Sequence, residues 1–381
     1  MSHHIVIGAG LAGAAAAYSL TARGEDVTVL ERHTPANDRG SSHGSARIFR
    51  YAYPDRLYTE LVVRSRELWT EVEAASGAEL IAVTGAIDHG DVRHTAGLAE
   101  IFEAVGVDHE VLDPARAAER WPQFAFDTDV LWHPDAGVID AETSVNALLD
   151  LASATGRVRV LTDWTVAEVT RRSAGGFRVT SATGEFVEGD RAIVAAGGWL
   201  PALLGDLGLP QSFLSALPRF EVRQEQAFHM PYRDADESGG PRTVWPTFIH
   251  KSSEIFTYGL PGGRDAGFTG QKLAQFNGGR VIDSALDQDG QITEEMRARM
   301  IDYAKRHLPG LVPEPYAETT CLFTNTPNED FVIDEVDGLV IVSACSGHGA
   351  KFAPLLGEFA ADLATGAGGV PDRFRVGQST V

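Results

Sequence analysis

Apolar residues open the chain in a short run, His4-Ile5-Val6-Ile7. The run breaks at Gly8-Ala9-Gly10-Leu11-Ala12-Gly13 and resumes as an alanine-rich segment with helical periodicity ending near Gly24. A second run, Asp26 to Leu30, completes a strand–helix–strand unit. Polar text rich in Gly and Ser, His33 to Ser45, leads to a predicted helix from Asp55 to Ser76 with Leu57, Leu61, Leu68 and Val72 on one side. Beyond Gly77 the pattern changes to short strands such as Leu80 to Val83, a helix from Ala96 to Val105, and a helix capped by Asp113 that stops at Trp121-Pro122. Asp140 caps another helix through Ala152, Arg157 to Leu161 and Thr165 to Thr170 read as strands, and Gly176 to Thr180 pairs with Glu185 to Glu188. Strands dominate from Pro218 to Thr257, Thr293 caps a helix from Glu294 to His307, and Leu339 to Ser343 feeds a last helix from Phe352 to Leu363. This alternation predicts two domains interleaved in sequence. Residues 1–80, 140–217 and 325–381 form an α/β dinucleotide-binding domain and 81–139 and 218–324 an α+β substrate domain, with Gly366 to Pro371 and the final residues as a tail.

Two domains suit a chain of 381 residues, because a single core stops growing at roughly 250–300 residues. A 44% apolar composition and a mean hydropathy of −0.10 describe a globular chain, and no apolar run is long enough to span a membrane. Fifty-three acidic against thirty-two basic side chains give a formal net charge of −21, which repels nucleic-acid phosphates and anionic lipid. Cys321 and Cys345 are too few for a disulfide framework, and His3, His4 and His43 lack metal-ligand spacing, so no metal is expected and His4 reads as a strand-edge residue. The N-terminus lacks a basic, cleavable leader, so cytoplasmic residence is expected.

Gly8, Gly10 and Gly13 fit a dinucleotide fingerprint: a tight turn, a close backbone approach to pyrophosphate, and close packing of helix on strand. Glu31, at the end of the second strand, is placed to accept from a ribose diol and argues against a 2′-phosphate, leaving FAD or NAD. Ala192 to Ala196 ends in Gly197-Gly198-Trp199, a second close approach or an ordinary strand end. Arg47 and Arg50 are either a carboxylate-binding pair or two surface arginines, and Cys321 is either a core filler or a reactive thiol. In Gly347-His348-Gly349-Ala350-Lys351, His348 and Lys351 offer polar groups where an anion docks, with a solvated lysine as the alternative.

From Ile5 to about Phe374 the chain resembles the monomeric sarcosine oxidase and N-methyl-L-tryptophan oxidase group of D-amino-acid-oxidase-like flavoproteins. The resemblance is carried by Ser42-His43-Gly44-Ser45-Ala46-Arg47-Ile48-Phe49-Arg50, by Cys321 through Asp334, and by Ser346 through Phe352. It implies a Rossmann-like FAD-binding domain interleaved with a substrate domain on a large mixed β-sheet, and FAD held covalently through Cys321. It places Arg50 and Lys351 on the substrate carboxylate, with Tyr258 and His348 in the pocket and Lys272 where oxygen is activated. Leu11, Ala12, Arg32, Ser42, His43, Arg47, Val166, Trp199, Gly347 and Gly349 fall beside the cofactor. Phe276 and Phe323 stand where sarcosine oxidases usually carry a histidine and a tyrosine, so the resemblance implies a bulkier substrate than sarcosine.

The expected reaction is oxidation of a secondary, N-substituted amino acid to an imine with dioxygen reduced to hydrogen peroxide, by a monomer acting on small molecules. A fructosyl amino acid oxidase on the same scaffold is the alternative. An NAD-linked dehydrogenase has no use for a cysteine tether, and a non-catalytic nucleotide-binding protein has none for Arg50, Lys272 and Lys351.

Overall fold

A computed structural model describes residues 2–378, so Met1 and the last three residues of the expected tail lie outside the described residues. His3–Ile7 sits inside a six-stranded sheet with parallel neighbours on both sides, Asp26–Leu30 and Arg191–Val194. Across the sheet the order is Val332–Val336, Leu339–Ser343, Arg191–Val194, His3–Ile7, Asp26–Leu30 and Val158–Leu161, and only the first pair is antiparallel. His4 is therefore buried in a central strand, 3.5 Å from Glu25, and is no edge residue. Its apolar neighbours Ile5 to Ile7 forced that position, because a strand covered on both faces reads as a continuous apolar run.

Helices Leu11–Ala22, Ala141–Ala154 and Ala353–Thr365 cover one face. Their contact is close because its residues are small: Ala14 to Ala17 are fully buried, and a Cβ on Gly357 would stand 2.5 Å from the Ala15 carbonyl oxygen. A three-stranded antiparallel sheet, Val166–Arg171, Phe177–Ser181 and Phe186–Gly189, belongs to the core on the other side.

Helix Arg56–Ser76 is capped by Asp55 and ends at Gly77 in the left-handed conformation. Its buried residues are Tyr58, Thr59, Val62, Ser65, Leu68, Trp69 and Val72, so Leu68 and Val72 are buried as expected while Leu57 and Leu61 are only half-buried and yield to Tyr58 and Val62. Polar tips account for the buried positions that were not expected. Ser65 and Trp69 donate to the Lys351 carbonyl at 2.6 and 2.8 Å, and Tyr58 donates to Asp330 at 3.0 Å.

The large sheet is nine-stranded. From its edge it runs through Glu110–Leu112, Val130–His133, Ala86–His89, Thr247–Lys251, Phe256–Pro261 and Gly270–Gln275 to the long strand Glu221–Pro231. That strand takes Gly270–Gln275 and Arg280–Ile282 in succession on one edge and Ala317–Asn325 on the other. Alternation divides its faces. Ile87, Phe228, Phe248 and Leu273 pack with Met300 and Tyr303 of helix Glu294–His307. Lys272 pairs with His229, Cys321 with Glu225 and Phe323 with Arg223, which turns these residues to the opposite face. A small antiparallel sheet, Arg47–Phe49, Gly137–Ile139 and Ile81–Val83, braces the segment carrying both arginines. No helix among the described residues is long and apolar enough to cross a membrane.

Candidate active site

The glycine turn is built by exclusion. Gly8 has φ +103°, and a Cβ on Gly13 would overlap the Gly8 carbonyl oxygen, so helix Leu11–Ala22 starts against the strand with its N-terminus open. Ser42 Oγ accepts from Leu11 N at 3.0 Å, and Glu31 is fixed by Ala9 N at 2.8 Å and His33 N at 2.9 Å. From this turn a cavity of about 490 Å³ extends past Gly10, Ala12, Arg32, Arg47, Val166, Gly197 and Trp199 to Cys321, Phe323, Gly347 and Gly349. Burial pushes the Cys321 thiol up, against the pull of Arg47 and Lys272.

Four cations form two groups, of which Arg47 lines this cavity and Lys272 the next. Arg47 donates to Ser41 O and to Ala46 O, and the buried Lys272 Nζ donates to the same Ala46 carbonyl at 3.4 Å. Arg50 donates to Ala52 O and lies 4.8 Å over the Tyr53 ring, and Lys351 Nζ donates to Tyr53 OH at 3.0 Å and to His348 O at 2.6 Å. All four donate only to uncharged oxygens, and none forms an ion pair among the described residues, in a chain of net charge −21. Burial, reinforced by Arg47, lowers the Lys272 ammonium to about 8. Burial and Arg50 push Lys351 well below the usual lysine range.

His348 is neutral, lowered to about 3 by burial and by Lys351. Its Nε2 lies 3.0 Å from the Glu329 carbonyl and must donate, so Nδ1 accepts from Tyr53 OH at 3.0 Å. Tyr258 is half-buried, its hydroxyl pushed well up by desolvation and then by the Cys321 thiol. Phe276 and Phe323 meet with ring centroids 5.7 Å apart, over Gly347 at φ +71°, where a Cβ would stand 2.6 Å from each ring.

The first cavity thus gathers most of the expected cofactor residues, while Gly13 lies behind its turn. Lys272 and His43 line a second cavity of about 320 Å³ with His229 and Asp265, and burial, then Arg47 and Lys272, lowers His43 to about 4. Arg50, Lys351 and His348 gather around Tyr53, which sequence reasoning missed. Also missed was a buried network behind Arg50. Arg93 binds Asp88 at 2.6 Å and donates to Ala52 O, the carbonyl Arg50 also uses, and His133 lies 3.2 Å from Asp88. Burial opposes ionisation of Asp88, but Arg93 and the hydrogen bond from His133 outweigh it and hold the carboxyl well below its usual range. Asp88 and Arg93 lie five residues apart, but His133 and Ala52 reach them from other parts of the chain. Glu225, opposite Cys321, was missed as well; burial pushes its carboxyl up to about 7.

Over residues 3–363 the chain matches the family described as FAD dependent oxidoreductase. It is 33% identical over 374 residues to monomeric sarcosine oxidase of Streptomyces avermitilis, covering 94% of this chain and 92% of that protein. It is 32% identical over 373 residues to N-methyl-L-tryptophan oxidase of Escherichia coli, covering 94% of each. Among solved structures, NikD, an unusual amino acid oxidase essential for nikkomycin biosynthesis, matches with a TM-score of 0.83 at 24% identity over 100% of this chain and 98% of that one. L-proline dehydrogenase from P. horikoshii matches at 0.80 and 22% identity over 96% and 94%. These likenesses establish the expected fold. The residues present also fit FAD: the helix N-terminus with its glycine turn, Glu31, Arg47 and Cys321 all line one cavity.

Removing the Asp88 carboxylate strands Arg93, which is only 8% exposed. Asp88→Ala is expected to lower the unfolding free energy by about 3–5 kcal/mol, read from urea unfolding of the flavin-loaded protein. A loss below about 1 kcal/mol would mean that water or a rearranged partner compensates Arg93.

Proposed function

The chain belongs to the FAD dependent oxidoreductase family as a flavin-dependent oxidase of the sarcosine and N-methyltryptophan oxidase type acting on CH–NH bonds, and from that premise we propose that it oxidises secondary, N-substituted α-amino acids larger than sarcosine. The observation that carries this reading is the pair Arg50 and Lys351, set around Tyr53 with no carboxylate of their own. An arriving substrate carboxylate supplies the missing counter-charge and restores the Lys351 ammonium that burial and Arg50 weaken, so binding and protonation reinforce each other. Phe276 and Phe323 give the pocket apolar rings that accept a bulky side chain or N-substituent.

Bound FAD supplies the two-electron oxidation of the C–N bond and the return of those electrons to dioxygen, which yields an imine for hydrolysis and hydrogen peroxide. Cys321 would hold it covalently through its sulfur, Arg47 and, from the adjoining cavity, His43 would stand beside it, and the Lys272 cation would stabilise negative charge as it develops on oxygen. Neutral His348 and Tyr53 hold Lys351 in place without competing for its charge.

A peroxide-release screen tests the reading. About 60 Å² of extra apolar contact at about 25 cal/mol per Å² is worth about 1.5 kcal/mol, so an N-methyl amino acid of at least valine size should exceed sarcosine about tenfold in kcat/KM. Decarboxylated analogues should be poor, and a fructosyl amino acid in the same panel measures the alternative. Sarcosine as the best substrate, or equal turnover without the carboxylate, overturns the proposal.

The attachment is checked by acid precipitation: wild-type protein should stay yellow and Cys321→Ala should release its flavin. Colour that leaves the wild type, or stays on the variant, removes the role of Cys321.

Because the Lys272 ammonium titrates near 8, its charge is present below that pH and lost above it. The rate at which air restores the colour of substrate-bleached enzyme should fall as pH rises through about 8 and become slow and pH-independent in Lys272→Met, while anaerobic bleaching changes much less. A loss confined to bleaching would make Lys272 a substrate residue.

A further inference from the structure

We propose that the face of the large sheet turned away from the flavin cavity holds a zinc-class divalent cation between His89, His250 and Asp127. His89 ends the strand Ala86–His89, and its register partner on the neighbouring parallel strand is His250. Ile87 and Phe248, two residues before them, pack with Met300 and Tyr303, whereas Asp88 points the other way to Arg93. Alternation therefore puts both imidazoles on the side of helix Glu294–His307, and His250 Nδ1 lies 2.9 Å from Tyr303 OH. This is a site separate from Arg50, Lys351 and Cys321.

The two rings lie 4.3 Å apart and nearly parallel, and one ligand atom from each histidine and from Asp127 falls within 4.8 Å of the others. His89 is 2% exposed, and its Nδ1 has no hydrogen-bond partner. A buried polar nitrogen left unmatched is costly unless something occupies it. Two imidazoles and one carboxylate make a nitrogen-rich set that suits zinc, whereas calcium and magnesium take oxygen ligands. Zinc at about 2.0–2.1 Å from each ligand atom brings those atoms to roughly 3.4 Å from one another. The exposed Asp127 swings in to close that gap, and each imidazole, held at the backbone by its strand, turns about its own Cβ–Cγ bond out of the stacked arrangement so that both in-plane lone pairs meet at the ion. His307, whose ring centroid is 4.8 Å from that of His250, or a water completes a tetrahedral shell.

Such an ion ties two adjacent strands to the connection between Trp121 and Val130, so its effect falls on the stability of the sheet and not on the reaction. The test uses tag-free, flavin-loaded enzyme, stripped with a chelator, titrated with zinc sulfate, passed through gel filtration and assayed for zinc by mass spectrometry. The wild type should retain about one zinc per chain and unfold at a higher temperature with it. His250→Ala and Asp127→Asn should weaken retention by roughly tenfold or more, with peroxide production unchanged in Asp127→Asn. Should His250→Ala fail to fold, the exposed Asp127→Asn decides alone. No zinc on the wild type, or equal retention by Asp127→Asn, overturns the site.

Discussion

Positive charge without a carboxylate partner is the constraint on which the rest of this structure depends. Arg47, Lys272, Arg50 and Lys351 are held in a strongly acidic protein, yet each is tied to backbone carbonyl or tyrosine oxygens. Two carbonyls carry much of this load. Ala46 O accepts from Arg47 and Lys272, and Ala52 O from Arg50 and Arg93, at either end of the segment that includes the three-residue strand Arg47–Phe49. A carbonyl offers two lone pairs but no net charge, so it orients a cation without neutralising it. The strand in turn needs its partner Gly137–Ile139, where a Cβ on Gly137 would overlap the Ala82 carbonyl. The close backbone approach at Gly137 thus helps to hold a binding field several residues away.

Distance from acid is also selective. Asp88 is admitted to the neighbourhood, but its carboxylate is taken up by Arg93 and His133, so it braces the Ala52 carbonyl without neutralising Arg50. A carboxylate directly on Arg50 would compete with any anionic substrate. One residue farther back, it stiffens the site through a buried pair whose loss would leave a charge unmatched.

Much of the fold was legible because local signals agreed. The glycine turn and the Asp113, Asp140 and Thr293 caps each have a local cause and stand where the pattern put them. The misreadings came where tertiary partners decide. His4 looked like an edge residue because polarity alone does not show which strands flank it, and the first half of the stripe of helix Arg56–Ser76 was misplaced because Tyr58, Ser65 and Trp69 find partners in the 330–351 region. The site divides in the same way. The dinucleotide turn was readable from spacing, whereas Arg50 and Cys321 stayed ambiguous until a family resemblance was added. Tyr53, Asp88, Arg93 and Glu225 carried no signal, since their partners lie on other elements.

The large sheet keeps two kinds of chemistry apart by the period of a strand. Asp88 and His89 are adjacent in sequence, yet one serves the cation cluster and the other faces helix Glu294–His307. Phe228 and His229 divide likewise, the first joining the apolar core and the second standing opposite Lys272. A register slip of one residue would exchange these sets, placing phenylalanines beside Arg50 and unpaired charge in the apolar core. That cost locks the register, so the apolar face between sheet and helix also fixes where Lys272 and Cys321 point. Apolar packing on the helix side of the sheet thus sets the geometry on the flavin side.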